Sequence, residues 1–295
     1  MTRNVKAATK RIMRIAVILA GLLSMVALAF GWAASLHRAA DTVAMLRPIL
    51  GLVILLAALA ARGPALRLMF MVTGGLSLVS VLIFLLPQAP GTDMRLYSKN
   101  VWFGNEQTTA LAEDITAAQV DVVMLQELSG QNRGIIDQLT PDFPHQHICK
   151  FSEWSAMAVL SKHPFAAQSL CTGQRALAAA RIDLHGQPVW VVSTHIPWPW
   201  PFENADAETS TEALLSSLTG PIVVAGDFNT FPWSGRLQRI RRITDTRIAG
   251  LTRPTLTYRH VPLPLDHVLA PGGGSVTNRP LLGGDHHGIV ADVSL

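Results

Sequence analysis

Apolar residues follow two patterns along the chain. Before residue 90 they form long runs. Ile15 to Leu36 and Leu68 to Thr92 contain no charged side chain, and Pro48 to Ala61 extends back across Arg47 through Val43–Leu46. From Met94 onward they come in short stretches of Val, Ile, Leu and Ala divided by polar segments. A bilayer-crossing helix needs about 20 apolar residues, so the first pattern predicts three transmembrane helices at about 15–36, 43–61 and 68–86. Arg47 would snorkel to the interface. The second pattern predicts a mixed α/β domain. Pro87, Pro90 and Gly91 form a hinge, dividing the chain into a membrane anchor, residues 1–90, and a second domain, residues 94–295.

A cleaved signal peptide would also set a basic tail before an apolar stretch and small residues, as at Ala33-Ala34-Ser35. Its apolar core is usually only about 7–15 residues, shorter than the first run. Composition agrees with membrane spans: 49% of the 295 residues are apolar and only 15% charged, against about 25% charged in soluble domains. The net charge of +4 is unevenly placed. Residues 1–90 hold nine basic side chains against one acid, Asp41, a net of +8, and the remaining 205 residues carry −4. The basic excess therefore belongs to the anchor and is a topological signal rather than a nucleic-acid footprint. Lys and Arg mark cytoplasmic segments, which places the N-terminal tail and the Arg62–Arg67 loop inside. Three spans then put residues 94–295 outside. The expectation is a multi-pass protein of the inner (plasma) membrane whose second domain faces the periplasm or exterior.

In that domain the pattern predicts strands at Met94–Tyr97, Val120–Leu125, Met157–Leu160, Ala178–Asp183, Val189–Thr194, Ile222–Ala225, Asp266–Leu269 and Gly288–Val293. Helices are predicted at Thr108–Ala118, Glu208–Leu218 and Gly235–Ile240. His185-Gly186 reads as a hairpin turn between two of the strands.

The polar residues with chemistry to offer fall at strand ends: Asn100, Glu127, His195, Asp227, Asn229, Asp266 and His267, and Asp285 with His286. One Asp at a strand end is ordinarily a turn or a cap. Six such ends together point to one functional rim. Asn100, Glu127 and Asp285 offer oxygen ligands suited to a hard ion, Mg2+ or Mn2+. No H-x-x-x-H or paired Cys/His spacing favours zinc. Imidazoles and carboxylates around such an ion suit hydrolysis of a phosphate ester. Neither a Gly-x-Ser-x-Gly elbow nor a Walker-type loop is present.

The string Asn100-Val101, Gln126-Glu127, Thr194-His195, Gly226-Asp227-Phe228-Asn229-Thr230, Leu265-Asp266-His267-Val268 and Asp285-His286 resembles the endonuclease/exonuclease/phosphatase family, in a membrane-anchored bacterial type. Ala156–Pro164, AMAVLSKHP, is similar to that family's G-x-A-x-x-S-K-x-P segment. The resemblance covers roughly 94–295 and implies a deoxyribonuclease-I-like, four-layered α/β (α+β) sandwich of two packed mixed sheets flanked by helices. It implies divalent-metal-dependent phosphoester cleavage. By position, Glu127 would be the main metal ligand, assisted by Asn100 and Asp285. His195 would contact the phosphate and help protonate the leaving group, Asp227 and Asn229 would orient water and hold a phosphate oxygen, and Asp266 would support His286. Two positions depart from the pattern: Gly284 stands for the usual Ser before the final Asp-His, and His287-Gly288 replaces the usual following Pro.

Substrate is less legible. Arg236, Arg239, Arg241, Arg242 and Arg247 could meet anionic substrate or headgroups, or form a solvated helix face. Pro197-Trp198-Pro199-Trp200-Pro201-Phe202, directly after His195, suits either packing or an apolar substrate at a membrane interface. The expected partners are thus the lipid bilayer and a phosphorylated substrate, with a lipid phosphate or pyrophosphate favoured over nucleic acid. A nuclease and a catalytically idle phospho-ligand-binding scaffold are the alternatives. Cys149 and Cys171, the only two cysteines, could form one disulfide in an oxidising compartment. His145, His147, His163, His185 and His260 are expected to be surface or structural.

Overall fold

The computed structural model describes residues 3–34, 37–152, 155–167, 169–173, 176–202 and 205–295. Two compact units emerge: Met1–Leu85 with Trp233–Arg236, and Leu86–Pro232 with Leu237–Leu295.

The first unit consists of α1 (Arg3–Trp32), α2 (Ala39–Met45), α3 (Arg47–Ala60) and α4 (Pro64–Leu82), ending in a 3-10 turn, Ile83–Leu85. Val5–Trp32 and Pro64–Leu85 are each long and apolar enough to cross a membrane. The middle span differs from the unbroken helix expected. It is two helices bent by 64°, α2 and α3, and the chain reaches three spans only if this pair counts as one. The break has a local cause. Pro48 lies in the first turn of α3, where it starts a helix readily but cannot continue one. Arg47 is buried, its guanidinium 4.4 Å from the Trp32 ring centroid.

Ile54, Ala57, Ala58 and Phe70 form the centre of this unit, with close approach by small residues: a Cβ at Gly74 would stand 2.9 Å from the Gly51 carbonyl. Arg14 Nε and Arg67 Nη2 donate to Ala60 O (2.8 Å) and Ala61 O (3.1 Å), satisfying carbonyls at the end of α3. Trp233 Nε1 donates to Ala44 O and Arg236 N to Asp41 Oδ1, both at 2.9 Å.

In the second unit the order is β1 (Met94–Asn100), α5 (Thr108–Ala117), β2 (Val122–Leu128), α6 (Gly134–Leu139), β3 (His145–Ser152) and β4 (Ser155–Ser161). Then come β5 (Leu170–Cys171), β6 (Leu177–Leu184), β7 (Gln187–His195), α7 (Ala205–Ser217), β8 (Ile222–Asp227), α8 (Gly235–Thr244) and β9 (Arg247–Ile248). The chain closes with β10 (Leu256–Tyr258), β11 (Val261–Leu263), β12 (Asp266–Ala270), β13 (Gly273–Asn278) and β14 (Ile289–Ser294). One six-stranded sheet has the order β13-β14-β1-β2-β4-β3 and the other β5-β6-β7-β8-β12-β9, while β10-β11 form a small hairpin. Each large sheet is mixed: β1 pairs parallel with β2 and β7 parallel with β8, among antiparallel neighbours.

Strand alternation explains the layers. Met94, Leu96, Val122 and Met124 point to the inter-sheet core shared with Val191, Val223 and Val268. Tyr97, Val101, Val123 and Leu125 point the other way, against Leu111 and Ile115 of α5 and Ile135 and Leu139 of α6. This is the two-sheet sandwich flanked by helices that the resemblance implied. All eight predicted strands and three predicted helices have counterparts. Left unpredicted were α6, the short β5, β9, β10 and β11, and two long strands, β3 and β13, whose sequences HQHICKFS and GGSVTN lack an apolar run. The His185-Gly186 turn forms, both residues at positive φ, as a two-residue hairpin turn requires.

Cys149 and Cys171 are bonded. They join β3 to β5, the edge strands of different sheets, rather than neighbours within one sheet. His147 Nε2 lies 3.2 Å from the Cys149 sulfur, so this histidine belongs to the cross-link.

Candidate active site

The two sheets bring their functional side chains to one end. In the second sheet three adjacent strands hold them in a row: His195 is the register partner of Asp227 on the parallel strand β8, and Asp227 is that of Asp266 on β12. Gly226 makes this row possible. Its φ is +146°, and a Cβ there would collide with Thr194 O. In the first sheet Asn100 is the partner of Gln126, and Glu127 follows where the β2–β4 register slips between Leu125 and Leu128. Glu127 has φ +57°, in the sparsely populated left-handed region. The irregularity re-aims a side chain that strict alternation would have turned away, as bulges beside active sites do.

These side chains converge. Asn100 Nδ2 donates to Glu127 Oε1 (2.9 Å) and Asp227 Oδ2 (3.2 Å). His195 Nε2 lies 3.5 Å from Glu127 Oε1 and 3.6 Å from Asp227 Oδ2. His286 Nδ1 is 2.7 Å from Asp266 Oδ2, and its Nε2 is 3.8 Å from Asp227 Oδ2. Asn229 N donates to Asp227 Oδ1 (2.8 Å), and its side-chain amide donates to Ile196 O and Asp227 Oδ2. Asp285 is solvent-exposed beside the cluster and feels the charges of His286 and Glu127.

Seven of the nine strand-end residues are thus tied by direct contacts, and Asp285 joins them through its charge. His267 is turned away: its Nε2 lies 2.9 Å from Thr230 O and its ring packs on Phe228, a structural role. Beneath the site Gln126 Nε2 donates to Ser193 Oγ (2.9 Å), linking the two sheets. Lys99 is fully buried with Nζ 2.7 Å from His286 O, and Thr255 Oγ1 accepts from Leu265 N and Asp266 N. None of these was among the sequence candidates. Gln126, Lys99 and Ser193 could have been noticed as polar residues inside otherwise apolar strands.

Burial sets the protonation states. It pushes the Asp227 carboxyl up to about 6, although His286 and His195 pull the other way. Burial alone would lower His286, but the Asp266 and Asp227 charges and the Asp266 hydrogen bond outweigh it and raise the imidazole to about 10. Asp266 is correspondingly held down by His286, against the effect of burial. The Asp266–His286 pair is therefore an ion pair at neutral pH. Asp285, exposed yet partly desolvated by its neighbours, is raised by that desolvation and by Glu127, against the pull of His286.

Glu127 and Asp285 repel one another across an open face, and a hard cation between oxygen donors would relieve that repulsion. The donor set fits such an ion. Asn100 is less suited as it lies: its Oδ1 accepts from Trp102 N (3.0 Å), and its NH2 faces the carboxylates. Asp227, Asp266 and His286 also lie within 4.8 Å of one another, but the imidazolium already supplies a positive charge there.

Residues 97–288 match the Endonuclease/Exonuclease/phosphatase family. The chain belongs to that family. Members of the endonuclease/exonuclease/phosphatase family are hydrolases of phosphoester bonds that use divalent metals. No curated protein matches the chain by sequence. Among solved structures, a family protein from Leptotrichia buccalis is 17% identical, with TM-score 0.55 over 68% of this chain and all of that one. A mutant beta toxin from Staphylococcus aureus with bound magnesium ions is 14% identical, with TM-score 0.53 over 69% of this chain and 100% of that chain. Truncated Caenorhabditis elegans TDP2 is 16% identical, with TM-score 0.52 over 69% and 98%. At these identities the likeness is one of fold.

The arginines after Asn229 do not form a free basic patch. Arg236 is buried, Arg239 pairs with Glu212 (3.0 Å) and Glu208 (3.8 Å), and Arg241 donates to Gln238 and to Thr246 O. Packing removes Arg236 from the surface and acids pair with Arg239, while Arg242 and Arg247 stay exposed.

Proposed function

We propose that the chain is a membrane-anchored, divalent-metal-dependent phosphoesterase whose preferred substrate is a lipid phosphate or pyrophosphate. The observation that carries the reading is the pairing of an open carboxylate face, Glu127 with Asp285, with a buried ion pair, Asp266–His286, on either side of Asp227. A magnesium or manganese ion held by Glu127 and Asp285, with Asn100 nearby, would neutralise charge on the phosphate oxygens. Asp227, raised to about 6, is ionised at neutral pH and placed to accept a proton from water. Asn229 fixes that carboxylate through its backbone N–H and amide. His286, protonated and backed by Asp266, donates toward a phosphate oxygen, and His195, partly open to solvent, donates to the leaving oxygen. An intact acid–base set argues against an idle scaffold.

The lipid reading rests on the loop after His195, where Trp200 and Phe202 are 48% and 59% exposed. Exposed aromatic rings suit a bilayer interface or an acyl or prenyl chain. The basic tail and Arg62–Arg67 loop support a catalytic domain outside the inner membrane, with α2 and α3 acting as one bent span. The test assays the purified full chain with Mg2+ or Mn2+ against DNA, a phosphoinositide-like lipid and an isoprenyl pyrophosphate. Turnover of a lipid with little DNA cleavage is expected. The reverse would make it a nuclease, and no turnover of any would overturn the reading.

A further inference from the structure

Lys99 is a buried cation that the proposed chemistry does not use. It shares a strand face with Tyr97 and Val101, the face packed against α5 and α6. Its ammonium reaches the catalytic loop from behind and donates to His286 O at 2.7 Å. The same loop is held nearby by Asn105 Nδ2, which donates to Leu282 O (2.9 Å), and by His287 N, which donates to Thr255 O (2.7 Å). Lys99 differs from these in ending directly on the residue whose imidazole faces Asp227. A buried ammonium is costly to maintain, which asks for a role.

Gly284 offers the second observation. A Cβ at this position would lie 3.3 Å from Lys99 Nζ and 3.1 Å from Val101 O, tighter than ordinary contact. Glycine thus stands, where the family pattern has Ser, at a position where a side chain would press on the lysine. The glycine leaves room at this point for the ammonium that reaches the loop from the neighbouring strand.

We propose that Lys99, with Gly284, is a positioning residue that pins the Asp285-His286 backbone, keeping the imidazole registered with Asp227 and the Asp285 carboxylate with Glu127. The inference rests on reading this site as a phosphoester hydrolase. Its test compares wild type, Lys99→Met, Gly284→Ser and the double variant as full chains in detergent. Two readouts are taken: Mg2+-dependent hydrolysis of bis(p-nitrophenyl) phosphate, and hydrogen exchange of the amides in 279–288.

Lys99→Met should lower kcat by about 10–100-fold, as loss of a group orienting a ligand or catalyst does, with KM changed by less than about twofold. The loop amides should exchange about tenfold faster or more while the remaining strands keep their protection. Gly284→Ser should also lose activity. The double variant should lose less than the product of the single effects, because the serine no longer meets an ammonium. Wild-type kcat and loop exchange in Lys99→Met, or losses that simply multiply, would overturn the proposal. If Lys99→Met does not fold, Gly284→Ser decides: unaltered kcat and loop exchange in it would overturn the proposal. If the wild type cleaves neither this probe nor DNA, a phosphoinositide-like lipid or an isoprenyl pyrophosphate, the hydrolase reading fails, while the exchange measurement still decides the role of Lys99.

Discussion

The site contains two carboxylate groups in contrasting surroundings. Glu127 is partly open and Asp285 exposed, and the Glu127 charge pushes the Asp285 carboxyl up although His286 pulls it down, so a further cation would relieve their repulsion. Asp227 and Asp266 are buried, yet the chain supplies its own counter-charge in His286, 2.7 Å from Asp266. One half of the centre is built to recruit charge and the other to hold it. The contrast explains how four acids can gather at one end of the sandwich without unfolding it: burial of a charge is tolerated only with a hydrogen-bonded partner.

The sharpest way to break that comparison is to remove one member of each half. Glu127→Ala and His286→Ala should each lower turnover by about 10²–10⁴-fold. They should differ in metal response: Glu127→Gln should need far more Mg2+ for half-saturation, whereas Asp266→Asn should lose kcat at an unchanged Mg2+ requirement. Equal metal responses in the two variants would merge the halves into one.

Stability gives a second contrast. Asp266→Asn leaves the buried imidazolium without its hydrogen-bonded carboxylate and with only Asp227, 3.8 Å away, as counter-charge, and should cost about 3 kcal/mol in denaturant unfolding. Asp227→Asn removes a carboxylate that burial disfavours, and should abolish turnover while leaving Tm at neutral pH equal or higher. A lower Tm for Asp227→Asn would show that Asp227 is stabilising, contrary to its raised pKa.

The pH dependence follows with its sign. Asp227 binds its proton more tightly when folded, so its contribution to stability is present at low pH and is lost as pH rises through about 6. His286 is raised from its ordinary value near 6.5 to about 10. Its contribution is complete below about 6.5 and is lost as pH climbs through about 10. Metal-free wild type should therefore lose Tm between pH 7 and 10, and Asp266→Asn should shift that loss to lower pH. Activity should fall below about pH 6 as Asp227 is protonated. A flat Tm profile above pH 7 would refute the ion pair.

A smaller effect is expected at the rim. Replacing Trp200 and Phe202 by Ala should reduce turnover of a lipid substrate about tenfold more than that of a soluble phosphodiester, because half-exposed rings realise only part of the stabilisation of a fully buried one. Equal losses would detach the loop from substrate choice. The anchor carries its own test. An odd number of spans places the two ends of the chain on opposite sides, so a reporter active only in the cytoplasm, fused at Leu295, should be silent. Activity would mean that the bent α2–α3 pair does not cross.

Much of the catalytic domain could be read from the chain because buried strands write themselves as runs of Val, Ile, Leu and Ala, and chemistry sits just past their ends. Asp227 and His195 were legible for that reason. The polar edge strand β3 was not, because its pairing with β4 rests on backbone hydrogen bonds that leave little trace in side-chain pattern. Glu127 was legible as a residue but not as a geometry: a register slip and a positive φ turn it into the site. The break at Leu46 was hidden because an apolar run reports length and not direction, and the burial of Arg236 and the pairing of Arg239 were hidden because charge alone does not reveal its partners.

By itself the sequence determined the long apolar helices before residue 90, the mildly acidic sandwich that follows them and the identities of the candidate acids, bases and amides. Hydrophobic periodicity and strand-end chemistry are local properties of the chain. Tertiary structure decided which carboxylates are open and which are neutralised, that Cys149 and Cys171 cross-link two sheets, and that Lys99 stands behind His286. Those outcomes depend on distance and burial between segments far apart in the chain, and protonation, charge compensation and cross-linking are set by such neighbours.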